Sequence, residues 1–189
     1  MRRSRFSDAE GEAEKEGQDE DQGGSEKTVE AAAVALLARR EHSIAELKRK
    51  LLSKRHPAAI VETVVARLAA KNLASDARFT SNFVHHHARR GQGPARIRAE
   101  LRQQGITDDS ITQALADSGI DWPGLAGTVR RRKFGADLAG SMAERAKQAR
   151  FLQYRGFNSD QIRAALNADG ESDGSAPQAD AGFDLDLDS

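Results

Sequence analysis

Apolar residues recur three and four positions apart through the middle of this 189-residue chain, and the residues between these runs predict helices joined by short connections. Thr28 is placed to cap a first helix reaching about Arg40. Ser43 with Glu46 forms a capping box, in which hydroxyl and carboxylate satisfy amide protons left over at a helix start; Ile44, Leu47 and Leu51 follow at helical spacing. Pro57 suits the first turn of a third helix, where its missing amide proton would have no acceptor, and Ile60, Val61, Val64, Val65 and Leu68 form that helix's stripe. The pattern then returns. Asp76 caps a helix carrying Phe79 and Phe83, Gly93-Pro94 opens one with Ile97 and Leu101 that Gly105 ends, and Thr107 starts one with Ile111 and Leu115. Asp121 and Pro123 begin a helix ending near Phe134, Ser141 with Glu144 forms a second capping box, and Asn158 with Gln161 resembles a third.

Nine helices in three triplets share a register as well as a count. At spacings of 50 and then 51 residues Leu51, Leu101 and Leu152 align, as do Arg55, Gly105 and Gly156, and His56, Ile106 and Phe157. A unit of this length implies an all-α tandem array of three three-helix repeats, each stabilised by itself and its neighbour, in an elongated, curved body. The expected boundaries are 28–74, 75–120 and 121–167, between a disordered acidic tail at 1–27 and another at 168–189. No valine-isoleucine-threonine-aromatic alternation competes for strand.

Charge changes this picture more than composition does. The 29 basic and 29 acidic residues cancel over the whole chain, but positions 28–167 carry 24 basic and 13 acidic residues, net +11, while the two tails carry −4 and −7. A basic body points to a polyanionic partner, nucleic acid or an acidic protein face. The tails hold only Phe6, Phe183, Leu185 and Leu187 of the 36 Ile, Leu, Val and Phe residues, so the core is folded and the tails are solvated. The alternating Phe183 to Asp188 segment could compete for the basic body until a partner displaces it. With no cysteine there is no disulfide framework or thiolate metal site, and the longest apolar run, Ala31 to Ala38, is too short to span a bilayer. No membrane association, a cytoplasmic location and a monomer are expected.

Candidate chemistry is sparse. His85-His86-His87 are consecutive, so on a helix they point about 100° apart and cannot converge on one ion; a partly exposed face that gains charge at mildly acid pH is the expected role. Acids such as Glu46, Glu144, Asp108 and Asp109 sit where helix starts use them, and Gly91-Gln92-Gly93-Pro94 lacks the strand and the Lys-Ser/Thr continuation of a phosphate loop. No catalytic residue, metal or cofactor is expected, and the protein is not read as an enzyme. The informative residues are cations: Arg89 and Arg90 end one helix, Arg96, Arg98 and Arg102 decorate the next, and Arg130, Arg131, Arg132 and Lys133 end another. With Lys147, Arg150 and Arg155 these form the candidate partner-binding set. Trp122 is expected where two repeats join, and Tyr154 at a core rim or on a contact surface; one Trp and one Tyr make a base-stacking platform an unexpected mode.

Several segments together resemble the RecX family of bacterial RecA regulators. They are Leu36 to Ser43 (LLARREHS) followed by Glu46-Leu47, then Asp76-Ala77-Arg78-Phe79, then Arg89 to Pro94 (RRGQGP) with Ile97 to Leu101 (IRAEL), and Phe151 to Phe157 (FLQYRGF). The resemblance runs in order from about Val29 to Leu166; His85 to His87 and Ser75 depart from it, and both tails lie outside it. It implies arrays of three-helix repeats that bind the RecA filament, contact DNA directly or through it, and restrain recombinase, ATPase and coprotease activity in DNA repair and the SOS response. The alternatives are a helical module that binds nucleic acid on its own account and a scaffold whose basic face docks an acidic protein.

Overall fold

In the computed structural model residues 25–136 and 139–167 are described, and among them are nine α-helices and no strand. α1 covers residues 25–37, α2 Ile44–Ser53, α3 Ala58–Ala70, α4 Asp76–Arg89, α5 Pro94–Gln103, α6 Asp108–Asp117, α7 Trp122–Phe134, α8 Met142–Tyr154 and α9 Ser159–Asn167. The expected tails lie outside the described residues except for 25–27, which are the first turn of α1.

Each triplet closes over its own apolar cluster. Val29, Leu47, Leu51, Val61, Val64 and Leu68 form the first, and Phe79, Val84, Ile97, Leu101, Ile106 and Ile111 the second. The third is smaller, with Ala126, Leu152, Phe157 and Ala165 at its centre and Val129, Phe151 and Ile162 around them. Contacts divide the chain into two units, one ending at Asp76 and one beginning at Ala77 that holds the second and third triplets.

The repeat register has a physical cause. Leu51, Leu101 and Leu152 are all fully buried, and four residues on the chain turns left-handed, with φ of 65° at Arg55, 80° at Gly105 and 91° at Gly156. Such a residue just past a helix end lets the following amide reach back: Ile106 N–H donates to the Leu101 carbonyl at 3.2 Å and Phe157 N–H to that of Leu152 at 3.1 Å. Glycine takes this conformation without steric cost, whereas Arg55 carries its Cβ there at a cost of about 1 kcal/mol.

The helix starts differ from expectation in detail. α1 begins ahead of Thr28, which lies inside it, and ends at 37. Pro57 is the residue before α3, extended at ψ 132°, and it starts the helix through its carbonyl, which accepts Val61 N–H at 3.0 Å. Asp76 is the first residue of α4, and its carboxylate also accepts Ile44 N–H at 2.8 Å, serving the start of α2. Only Asn158 and Gln161 form a fully reciprocal box, with both bonds at 2.9 Å. Ser43 and Ser141 accept from Glu46 and Glu144 N–H, but Glu144 turns back to Gly140 N–H and Glu46 goes elsewhere.

Glu46 is buried, and its carboxylate lies 3.0 Å from Arg40 Nη1 and 2.9 Å from His42 Nδ1, with His42 buried as well. Burial alone would raise its pKa, but the hydrogen bonds and charge of Arg40 and His42 outweigh this and hold it at about 2, against an ordinary 4.5. A depressed carboxylate pKa contributes stability that is fully present above pH 4.5 and is lost as pH falls towards 2. Glu46→Gln is therefore expected to cost roughly 2–3 kcal/mol at pH 7, because it leaves the buried His42 poorly matched and removes the charge that faces the exposed Arg40. The gap from wild type should close between pH 4.5 and about 2 in urea titrations run at a series of pH values. A gap independent of pH would contradict the assignment.

Candidate functional site

The candidate cations fall into four environments. Arg130 must be removed from the set: it is fully buried, its guanidinium donates to the Ala136 carbonyl at 3.4 Å, and burial, then the neighbouring Arg131 charge, lowers its pKa. In sequence it is one member of a basic run, but a helix turns about 100° per residue, so a run of four cannot all face solvent.

Arg98 and Arg102 do share a face, as their spacing predicts, and that face meets α6. Arg102 Nε lies 2.6 Å from Asp108 Oδ1, Arg98 Nη1 is 3.7 Å from the same oxygen, and Arg98 also donates to Thr112 Oγ1 at 3.0 Å. The Arg102 hydrogen bond holds Asp108 below the usual carboxylate range. Both arginines thus carry a local counter-charge.

Arg90, Arg96 and Arg155 belong to a seam inside the second unit. There the turn before α5 meets the turn before α9 through main-chain groups: Gly93 N–H donates to the Arg155 carbonyl at 2.8 Å and Ala95 N–H to that of Gly156 at 3.0 Å. Arg155 Nη1 donates to the Arg90 carbonyl at 3.3 Å, and its guanidinium sits over the Phe151 ring at 5.3 Å. Arg96 pairs with Glu100 at 2.9 Å and lies 5.9 Å from the centre of the Tyr154 ring. A Cβ at Gly93 would stand 2.4 Å from the Gly156 carbonyl, and one at Gly156 would stand 2.4 Å from Arg96 Cβ. The Arg89 to Pro94 motif is therefore a joint. Trp122 packs against the second apolar cluster from the first turn of α7, where the triplets meet, as expected.

The remaining group faces solvent. Arg131, Arg132 and Lys133 at the end of α7 and Lys147 and Arg150 on α8 are at least partly exposed, as is Arg89 at the end of α4. Phe134 packs edge-on against Phe151 at 5.3 Å, which brings the last turn of α7 alongside the part of α8 that carries Arg150. Lys147 and Arg150 have no ion-pair partner among the described residues. This is the part of the set able to meet several phosphates or carboxylates at once.

The histidine triplet splits. His85 and His86 are exposed, but His87 is half-buried, stacked on Phe83 at 3.8 Å, with Nδ1 2.6 Å from Gln92 Oε1 and 3.3 Å from Glu100. Burial lowers its pKa against the opposing pull of Gln92 and Glu100. Among the described residues no group of three or more His, Asp or Glu could hold a metal, and no helix is long and apolar enough to cross a membrane. The Arg40, His42 and Glu46 cluster escaped the sequence reading. Of the two placements expected for Tyr154 the exposed one holds, and Lys147, Arg150 and Tyr154 fall on one helical face opposite Leu152.

Comparison with known proteins places these elements. Residues 31–68, 75–115 and 125–166 match the models of the first, second and third three-helix domains of RecX. The chain is 44% identical over 155 residues to "Regulatory protein RecX" of Halorhodospira halophila, covering 82% of this chain and 96% of that one. It is 46% identical over 138 residues to the protein of the same description from Ectopseudomonas mendocina, covering 73% and 92%. The crystal structure of RecX from Lactobacillus salivarius superposes with a TM-score of 0.68 at 19% identity, over 78% of this chain and 98% of that one, a likeness of fold. Three matched domains in order, and relatives this similar over most of their length, show that the chain belongs to the RecX family of regulatory proteins.

Proposed function

We propose that this protein binds the RecA filament on DNA as a monomer in the cytoplasm, and restrains RecA's recombinase, ATPase and coprotease activity without chemistry of its own. The observation that carries the reading is the solvent-facing group of cations on α7 and α8, displayed by the second unit of a family of regulators. A nucleoprotein filament presents phosphates at regular intervals together with protein charge, and neutralising them releases counterions, so binding is salt-dependent. A ligand bridging neighbouring filament subunits would bias their relative motion and hence ATP turnover. The repeats at 28–74, 75–120 and 121–167 are proposed as its folded parts, and the acidic tails as segments that weaken its hold on bare DNA by competing for the same cations.

The test is suppression of RecA's DNA-dependent ATP hydrolysis and strand exchange at substoichiometric to equimolar protein. Arg131→Glu, Arg132→Glu and Lys133→Glu combined are expected to abolish suppression at unchanged helicity and to flatten the salt dependence of binding by about one unit of slope per lost phosphate contact. Arg98→Glu with Arg102→Glu should do less, because those side chains already face Asp108. Full suppression by the triple variant would place the partner on another face. Tight binding to bare DNA with RecA turnover untouched would make this a nucleic-acid-binding module acting alone.

A further inference from the structure

Tyr154 is the only tyrosine of the chain, and 80% of it is exposed at the end of α8. A tyrosine needed for packing would be turned inward, as Leu152 is two residues earlier at 0% exposed. It lies at i, i+3, i+7 spacing from Lys147 and Arg150, and α8 contains no acid beyond Glu144 in its first turn. Arg96 reaches it across the seam from α5, 5.9 Å from the ring centre, so its side chain is steadied by a cation while most of the ring stays in solvent. The result is an aromatic surface set in line with Lys147 and Arg150, on a face of α8 that supplies no counter-charge.

We propose that this face of α8 binds single-stranded nucleic acid, with Tyr154 stacking on a base and Lys147 and Arg150 meeting the phosphates on either side. Charge selects the partner class: an acidic protein would answer the cations but leaves the exposed ring unexplained, whereas a strand carries a negative charge and a π-face in every nucleotide. Arg96 holds the ring from one side and a base occupies the open one. The proposal deepens the DNA contact of the regulatory reading above and rests on it.

The experiment measures binding of the full chain to a short oligo(dT) strand and to an abasic strand of equal length, with RecA ATPase suppression assayed beside it. Tyr154→Ala should weaken binding to oligo(dT) by about 5- to 100-fold, the loss of one stacked base, and leave the salt slope and the abasic strand's affinity unchanged. Tyr154→Phe should bind as wild type, and the added indole of Tyr154→Trp should be quenched by oligo(dT) and not by the abasic strand. Lys147→Glu or Arg150→Glu should weaken both strands and reduce the salt slope. Equal oligo(dT) affinity for wild type and Tyr154→Ala overturns the proposal, as does an equal loss on both strands. A loss seen only against RecA without DNA also overturns it, and assigns the face to protein. Suppression separates the two readings: a wild type that stacks on oligo(dT) but leaves RecA turnover untouched refutes the regulatory role and keeps the stacking site.

Discussion

Gly93→Ala and Gly156→Ala are each expected to destabilise the second unit by about 3 kcal/mol, the upper range for overpacking a rigid contact. In both cases the new methyl would stand 2.4 Å from neighbouring atoms. The neighbours at Gly93 are main-chain atoms of Gly156, which cannot rotate aside, and at Gly156 the backbone of Arg96 lies nearly as close as its Cβ, at 2.5 Å. At Gly156 the φ of 91° adds a conformational cost of about 1 kcal/mol. Gly119→Ala is the control, because Gly119 is also left-handed at φ 64° but has nothing within 4 Å of where the methyl would stand, so it isolates the conformational cost alone. Urea unfolding of the three variants separates the contributions. A Gly93→Ala variant no less stable than Gly119→Ala would mean that the seam opens without loss.

The second large effect lies in the repeat interiors. Leu51→Ala, Leu101→Ala and Leu152→Ala should each cost roughly 2–5 kcal/mol, since each side chain is fully buried and its truncation leaves a cavity that helices can only partly close. Leu152 is expected at the lower end, because the third cluster has only four buried residues, two of them alanine, and has less to lose. Thermal unfolding monitored by helicity is the measurement. Near-neutral changes at all three would break the register that relates the triplets.

These three leucines were legible in the sequence because what fixes them is local: helical spacing to the preceding apolar residue and a turn residue four positions later. The Asn158 and Gln161 box was readable for the same reason, its partners being three residues apart. The candidate site was legible as a composition and illegible as a geometry. Arg130 and Arg131 are neighbours of one kind in the sequence, and packing decides that the first is buried and the second exposed. Asp108 looks like an ordinary first-turn acid until α5 and α6 pack and it meets Arg98 and Arg102. The Gly91 to Pro94 loop could be read as a turn, but the main chain that requires glycine at position 93 is that of Gly156 and Phe157, far along the sequence. The surroundings of His87 were not legible, because Phe83, Gln92 and Glu100 come from both sides of a turn.

The seam formed by Gly93, Ala95, Arg155 and Gly156 is drawn by amide and carbonyl groups, which almost every residue supplies alike. Its alignment is therefore indifferent to what the surrounding helices display, and depends instead on the number of residues between its two edges. The exposed cations of α7 and α8 and the exposed Tyr154 are free to drift, and with them the choice of target, while a single-residue insertion in a connecting turn would misalign the joint at once. Recognition and architecture in this unit are written in separable alphabets, one of exposed side chains and one of chain length and two bare glycines.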